Sequence, residues 1–188
     1  MTESKEYDVL RLIEHKQICY ISADNVKGYS LAEWMKYHPY MKKEQVLQWI
    51  HDMIRQMIQI HKCRGNPCYQ YVNPYSIIVT EEGKVSFLDM NAISNQGKIQ
   101  IMNRRNIRSQ FLPEQEGYYQ NASEKLDLYG LGKTIQYILA FIQPQPELSR
   151  REERILKKII TRCIEQNSRK SFAKTGEIQK FLPDLRVK

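Results

Sequence analysis

The feature that most constrains this chain is a run from about Glu44 to Lys62 in which apolar side chains recur at helical spacing. Val46, Ile50, Met53, Met57 and Ile60 share one stripe, with Leu47, Ile54, Ile58 and His61 beside it. A stripe this wide has to be covered, so the run predicts a core helix, and His61 reads as part of its packing. A second run, Leu126 to Ile142, is apolar nearly all round and predicts a central, buried helix ended by Pro144 and Pro146.

Shorter signals surround these two. Asp8 to Ile13 and Gln17 to Ser22 are β-branched and apolar and predict a pair of antiparallel strands. Ser30-Leu31-Ala32-Glu33 has the form of a capping box opening a short helix to about Tyr37, closed by His38-Pro39. Ile77 to Val79 and Val85 to Leu88, separated by Glu81-Glu82-Gly83-Lys84, predict a hairpin. Asp89 to roughly Ser123 has little periodicity and reads as a long surface segment. Ser149 to Glu152 repeats the capping pattern ahead of a helix with Ile155, Leu156, Ile159, Ile160, Cys163 and Ile164 inward, and about Thr175 to Leu182 predicts a last helix. The class is α+β, mainly α. No repeat or low-complexity linker divides residues 1–188, which predicts one domain.

A net charge of +8 would attract acidic partners, nucleic acid or an anionic surface. Lys98, Arg104, Arg105 and Arg108 cluster with no acid between them. From Arg150 to Lys174 the basic residues are diluted by Glu152, Glu153 and Glu165, as on an exposed helix. No apolar run approaches the roughly 18 residues of a membrane span, and the opening Met-Thr-Glu-Ser-Lys-Glu lacks the pattern of a signal peptide, so a cytoplasmic site is expected. Cys19, Cys63, Cys68 and Cys163 are scattered and three lie in apolar stretches, so free thiols are expected and disulfides are not. His61, Cys63 and Cys68 lack the second close pair of ligands that a closed zinc site needs, and no metal is expected.

The order of elements, with several motifs, resembles the carboxy-terminal lobe of the protein kinase family over roughly residues 7 to 183. Ile18 to Leu31 is similar to the strand and hinge that join the two lobes. Tyr69-Gln70-Tyr71-Val72-Asn73-Pro74-Tyr75-Ser76 stands in the place of the catalytic loop, and Leu88-Asp89-Met90-Asn91 in that of the magnesium-binding triplet. Leu112-Pro113-Glu114 looks like the motif that closes the activation segment. Lys125 to Gly132 looks like the start of the central helix, and Asn167-Ser168-Arg169 falls where the family keeps an Arg that pairs with that Glu.

The resemblance implies a test, because phosphoryl transfer needs a cover and a Lys on the phosphates, two metal-holding side chains and a base. The positions of the His, Arg and base Asp are held by Tyr69, Gln70 and Tyr71, and a phenol is a poor base at neutral pH. Ser76 replaces the second metal ligand and only Asp89 survives of the triplet, so Asp89 has a competing reading as a turn residue after a strand. Gly130-x-Gly132 heads an apolar helix and lacks the context of a phosphate loop. The part before the hinge, about twenty residues, leaves no room for a small lobe with its Lys. Framework residues are kept: Glu114 and Arg169 as an ion pair, and Asp127 as an anchor for the loop backbone.

The expectation is therefore a pseudokinase. It would have no cofactor, and would bind another protein or itself through the face lined by the hinge and hairpin, as a scaffold or regulatory module. Two alternatives stand beside it. One is a phosphotransferase using Asp89 and completed by a partner chain. The other is a nucleic-acid or anionic-surface binder using Arg104, Arg105 and Arg108 with Tyr118 and Tyr119.

Overall fold

The amphipathic run folds as the longest helix, and the remaining elements are built against it. The computed structural model describes residues 3–63, 68–102, 110–113, 123–165 and 168–185. In chain order the elements are β1 (Lys5–His15), β2 (Ile18–Ser30), α1 (Leu31–Tyr37), β3 (Tyr40–Lys42), α2 (Lys43–Lys62), β4 (Ile77–Thr80) and β5 (Val85–Phe87). They continue with α3 (Asn95–Met102), α4 (Glu124–Phe141), β6 (Gln143–Gln145), α5 (Arg150–Ile164) and a closing 3-10 helix (Thr175–Leu185). The class is α+β.

Along α2 the stripe from Val46 to Ile60 is buried, and Trp49 joins it, its indole N–H donating to the Gly83 carbonyl at 2.7 Å. Both capping boxes form: Ser30 and Glu33 start α1, and Ser149 and Glu152 start α5. Helix α4 begins at Ser123, whose side chain accepts the Leu126 N–H, and buries Leu128, Leu131, Ile135 and Ile138. Core side chains from β4, α2, α4, α5 and the 3-10 helix form one cluster.

The strand pair and the hairpin expected as separate units are one four-stranded sheet, ordered β1-β2-β4-β5. β1 and β2 pair antiparallel from Lys5↔Gly28 to His15↔Ile18 and turn at Lys16 and Gln17, with φ of 48° and 64°. They run further than apolar alternation indicated, because Asp24 and Asn25 look like loop residues yet lie opposite Val9 and Asp8. The last three residues of β2 then pair with β4, from Gly28↔Thr80 to Ser30↔Ile78. At that seam a Cβ on Gly28 would run into the Val79 carbonyl, so a glycine is what lets the strands meet. A bridge between Val9 and Leu88, with the Asp89 N–H donating to the Asp8 carbonyl at 2.8 Å, brings β1 round to the end of β5.

Other expectations need correction. The aperiodic stretch after Asp89 contains α3, started by the Ser94 hydroxyl accepting the Gly97 N–H at 3.1 Å; it has no apolar stripe to reveal it. β3 and β6 pair in parallel, each only three residues long and so invisible to a period-two pattern. The last helix is 3-10 over Thr175–Leu185, with Pro183 inside it, whose missing N–H interrupts the hydrogen-bond ladder.

Cys19 and Cys63 are joined in a disulfide, with Cα atoms 5.2 Å apart, against the expectation of free thiols. The fold brings β2 over the end of α2 and so unites residues 44 positions apart, which sequence spacing does not display. Cys68 and Cys163 are free and buried, and burial pushes both thiol pKa values up. Among the described residues no helix is long and apolar enough to cross a membrane.

Candidate functional site

Asp127 lies in the first turn of α4 and is 0% exposed. Its Oδ2 accepts the Tyr69 N–H and its Oδ1 the Gln70 N–H, each at 2.6 Å. His61 Nε2 also donates to Oδ2 at 2.6 Å, which places the ring proton on that nitrogen because a carboxylate only accepts. On the other side of the ring, Nδ1 is 2.8 Å from the Thr175 hydroxyl and 3.5 Å from a Glu124 carboxylate oxygen, which also accepts the Thr175 N–H at 3.1 Å. α2, α4, the 3-10 helix and the loop 68–76 thus meet at one buried polar knot.

His61 is therefore not simply apolar packing. Its stripe placed it on the buried face, but its partner is 66 residues away and nothing local announces it. The knot also holds the loop in an unusual shape. Gln70 has φ of 72°, in the left-handed region that a side chain disfavours, and two charge-assisted bonds from adjacent amides to one carboxylate offset that cost.

Within the loop the polar side chains turn inward. Tyr69 is 6% exposed; its hydroxyl donates to the Leu88 carbonyl at 2.7 Å, and its ring packs edge-on to Phe87 at 5.1 Å. Asn73 donates to the Tyr71 carbonyl at 2.9 Å and accepts the Tyr75 N–H at 2.8 Å. Ser76, 0% exposed, accepts the Asn73 N–H at 3.1 Å, and its hydroxyl faces the Tyr71 and Asn73 carbonyls. Tyr71 is half-buried and packs against the core. Gly130 and Gly132 are packing contacts: a Cβ would stand 2.6 Å from the Val72 oxygen at the first and 2.6 Å from Cys163 Cβ at the second.

Asp89 is half-buried at the end of β5, where Oδ1 accepts the Asn91 N–H at 3.0 Å and its carbonyl accepts the Ala92 N–H at 3.1 Å. This is the geometry of a turn residue. Its carboxylate borders a cavity of ≈ 930 Å³ between β2 and the end of α2, lined also by Leu10, Tyr20, Lys62, Cys63 and Asn91. Asp89 and Lys62 are the charged side chains of that lining.

Glu114, Arg104, Arg105, Arg108, Tyr118 and Tyr119 lie outside the described residues, as does the expected Glu114–Arg169 ion pair; Arg169 itself is exposed. With Cys63 bound to Cys19, the His61, Cys63 and Cys68 set is not available to a metal, and among the described residues no three His, Cys, Asp or Glu side chains gather as ligands. On α5 and the 3-10 helix, Lys158, Arg162 and Lys180 stand 5.3, 5.8 and 5.5 Å from the centre of the Phe181 ring, and Arg151 pairs with Asp184 at 2.6 Å.

Burial raises the Tyr69 pKa well above its ordinary value of 10.0, with the Asp127 and Asp89 charges adding to the rise against a hydrogen bond from Ser76 that lowers it. An acid whose folded pKa is raised contributes stability that is complete below its unfolded pKa and is lost as pH climbs beyond it. Urea midpoints of the native chain should therefore fall above about pH 10, by at most about 1.4 kcal/mol per pH unit from this group. Tyr69→Phe should be weaker at neutral pH by about 1–2 kcal/mol and show a shallower alkaline decline. Parallel alkaline curves would remove Tyr69 as the source.

No protein-family model matches the chain, and no curated protein matches it.

Proposed function

We propose that this chain is a catalytically inactive, protein kinase-like lobe that works as a protein-binding, scaffold or regulatory module. One observation carries the reading: in the loop 69–76 the groups that would have to do chemistry are used to hold the loop itself. Tyr69, Asn73 and Ser76 are buried and bonded to neighbouring backbone, and Asp127, the nearest carboxylate, takes three donors. Tyr71 offers a phenol where a general base is needed. Asp89 by itself is a thin site for the two magnesium ions that this chemistry uses, and its Oδ1 already accepts the Asn91 N–H in a turn.

An intact scaffold with its reactive groups turned inward fits binding better than turnover. The surface that suits a protein partner is the β1–β2 ribbon beside the cavity. Ile13 is 40% exposed and lies opposite Tyr20, 51% exposed, with Ile18, 53% exposed, two residues along the same face.

The test is thermal unfolding with and without magnesium and ATP. A site filled to a hundred times its Kd would add about 2.7 kcal/mol, a shift of several degrees. No shift is expected. A magnesium-dependent rise that disappears in Asp89→Ala would instead favour the phosphotransferase reading.

A further inference from the structure

We propose that Cys19 and Cys63 form a reversible thiol–disulfide exchange site, taking dithiols and low-molecular-weight disulfides as its substrates, that fastens the β1–β2 ribbon to the end of α2. The inference does not rest on the functional reading above. It stands on where the pair sits and on what the other two cysteines do.

The bond joins two independent elements, the first turn-proximal residues of β2 and the residue that follows α2. Both cysteines line the ≈ 930 Å³ cavity, and Cys63 is buried while Cys19 is half-buried, so a small thiol meets the bond from the Cys19 side. Lys62, next to Cys63 in the chain, and Asp89 both line the cavity; the ammonium favours the thiolate that exchange requires and the carboxylate opposes it. Cys68 and Cys163 are buried thiols with raised pKa values, which keeps them protonated and unreactive. Of the four cysteines, Cys19 alone is not buried, and only Cys19 and Cys63 have each other as a partner.

The ribbon gives this bond something to control. Its inner end is held by the seam to β4 at Gly28–Ser30 and by the Val9 bridge to Leu88. Beyond Leu10, the side chains of Arg11, Ile13, Glu14, His15, Ile18 and Tyr20 are exposed, and Leu12 and Ile21 are only partly buried. Leu12 and Ile21 are the outer half's apolar contacts with the core, and the cross-link is its covalent tie to the lobe. The core cluster around α2 and α4 has its own packing.

In reduction, a dithiol's thiolate attacks one sulfur of the pair, forms a mixed disulfide and releases the other cysteine as a thiolate, which takes up a proton. The reagent's second thiol then displaces the first cysteine, leaving two protein thiols and an oxidised reagent; two electrons pass to the protein. In oxidation, one cysteine thiolate attacks a low-molecular-weight disulfide and expels one small thiol. The other cysteine then attacks the mixed disulfide and expels the second.

The test combines peptide mapping under non-reducing conditions with amide hydrogen exchange on the full chain, using dithiothreitol and oxidised glutathione as probes. A Cys19–Cys63 cross-linked peptide is expected in the oxidised protein. Dithiothreitol should remove it and speed exchange of the ribbon amides from Arg11 to Ser22 by roughly tenfold or more, while α2 and α4 keep their protection. Oxidised glutathione should restore the link and the slow exchange. Cys19→Ser should show the fast ribbon in either buffer, and Cys68→Ser should behave as the native chain. The proposal is overturned if no such link is found, if reduction leaves ribbon exchange unchanged, if it loosens the whole chain equally, or if the link does not re-form.

Discussion

Asp127→Ala is expected to cost about 3–5 kcal/mol, since three buried donors lose their acceptor at about 1–3 kcal/mol each, in part relieved by relaxation. The carboxylate is 0% exposed and takes the Tyr69 and Gln70 amides and the His61 ring at 2.6 Å each. Truncation leaves three donors facing a void, and it also withdraws what holds Gln70 at φ of 72°. At about 2–4 °C per kcal/mol for a chain of this size, the melting temperature should drop by roughly 10 °C. Asp127→Asn should lose less, since its amide oxygen still accepts while its NH2 is turned against one of the donors. Glu124→Gln is the comparison that isolates the Asp127 carboxylate within the knot: the Glu124 side chain is 30% exposed, its amide can still accept the Thr175 N–H, and the change should cost under about 1 kcal/mol. Calorimetric melts of the three variants decide the matter. Equal small losses would mean that the loop is held by something other than this carboxylate.

The second large effect belongs to Gly28. A Cβ there would meet the Val79 carbonyl oxygen, with Val79 C at 3.0 Å and Thr80 Cα at 3.1 Å behind it, and all of these are backbone atoms that cannot rotate away. Gly28→Ala should therefore destabilise by about 2–3 kcal/mol, at the upper end of overpacking costs. Because Gly28 heads the short seam that joins the ribbon to β4, loss of amide protection should begin at Gly28–Ser30 and Ile78–Thr80. Gly176 offers the opposite case, with open space around its missing Cβ and no left-handed φ, so Gly176→Ala should be neutral or slightly stabilising. Similar denaturant midpoints for the two alanine variants would contradict the close approach at the seam.

How legible each part was in the sequence follows from the range of the interaction that makes it. Ser30 with Glu33 and Ser149 with Glu152 act within one turn, and both helix starts could be read directly. The apolar stripes of α2 and α4 are equally local, and both helices form within two residues of the expected limits. The resemblance of Lys125 to Gly132 to the start of the kinase central helix implied Asp127 as an anchor for the loop backbone, and residue type marked Asp89 as a turn former. What stayed hidden was made by distant partners. His61 meets Asp127 across 66 residues, Cys19 meets Cys63 across 44, and β3 meets β6 through three residues a side. Union of the two hairpins into one sheet depends on Gly28, whose reason is a backbone it touches only once folded. α3 hides for a different reason, since a helix without an apolar stripe leaves no period to detect.

The inward-turned loop is the point on which the functional account depends, and its most direct test is transfer of labelled γ-phosphate from ATP with magnesium, by the purified chain, to itself or to a general protein acceptor. The account predicts label no higher than in a reaction without protein, and no difference between the native chain and Asp89→Ala. Label above that blank in the native chain, lost in Asp89→Ala, would contradict it.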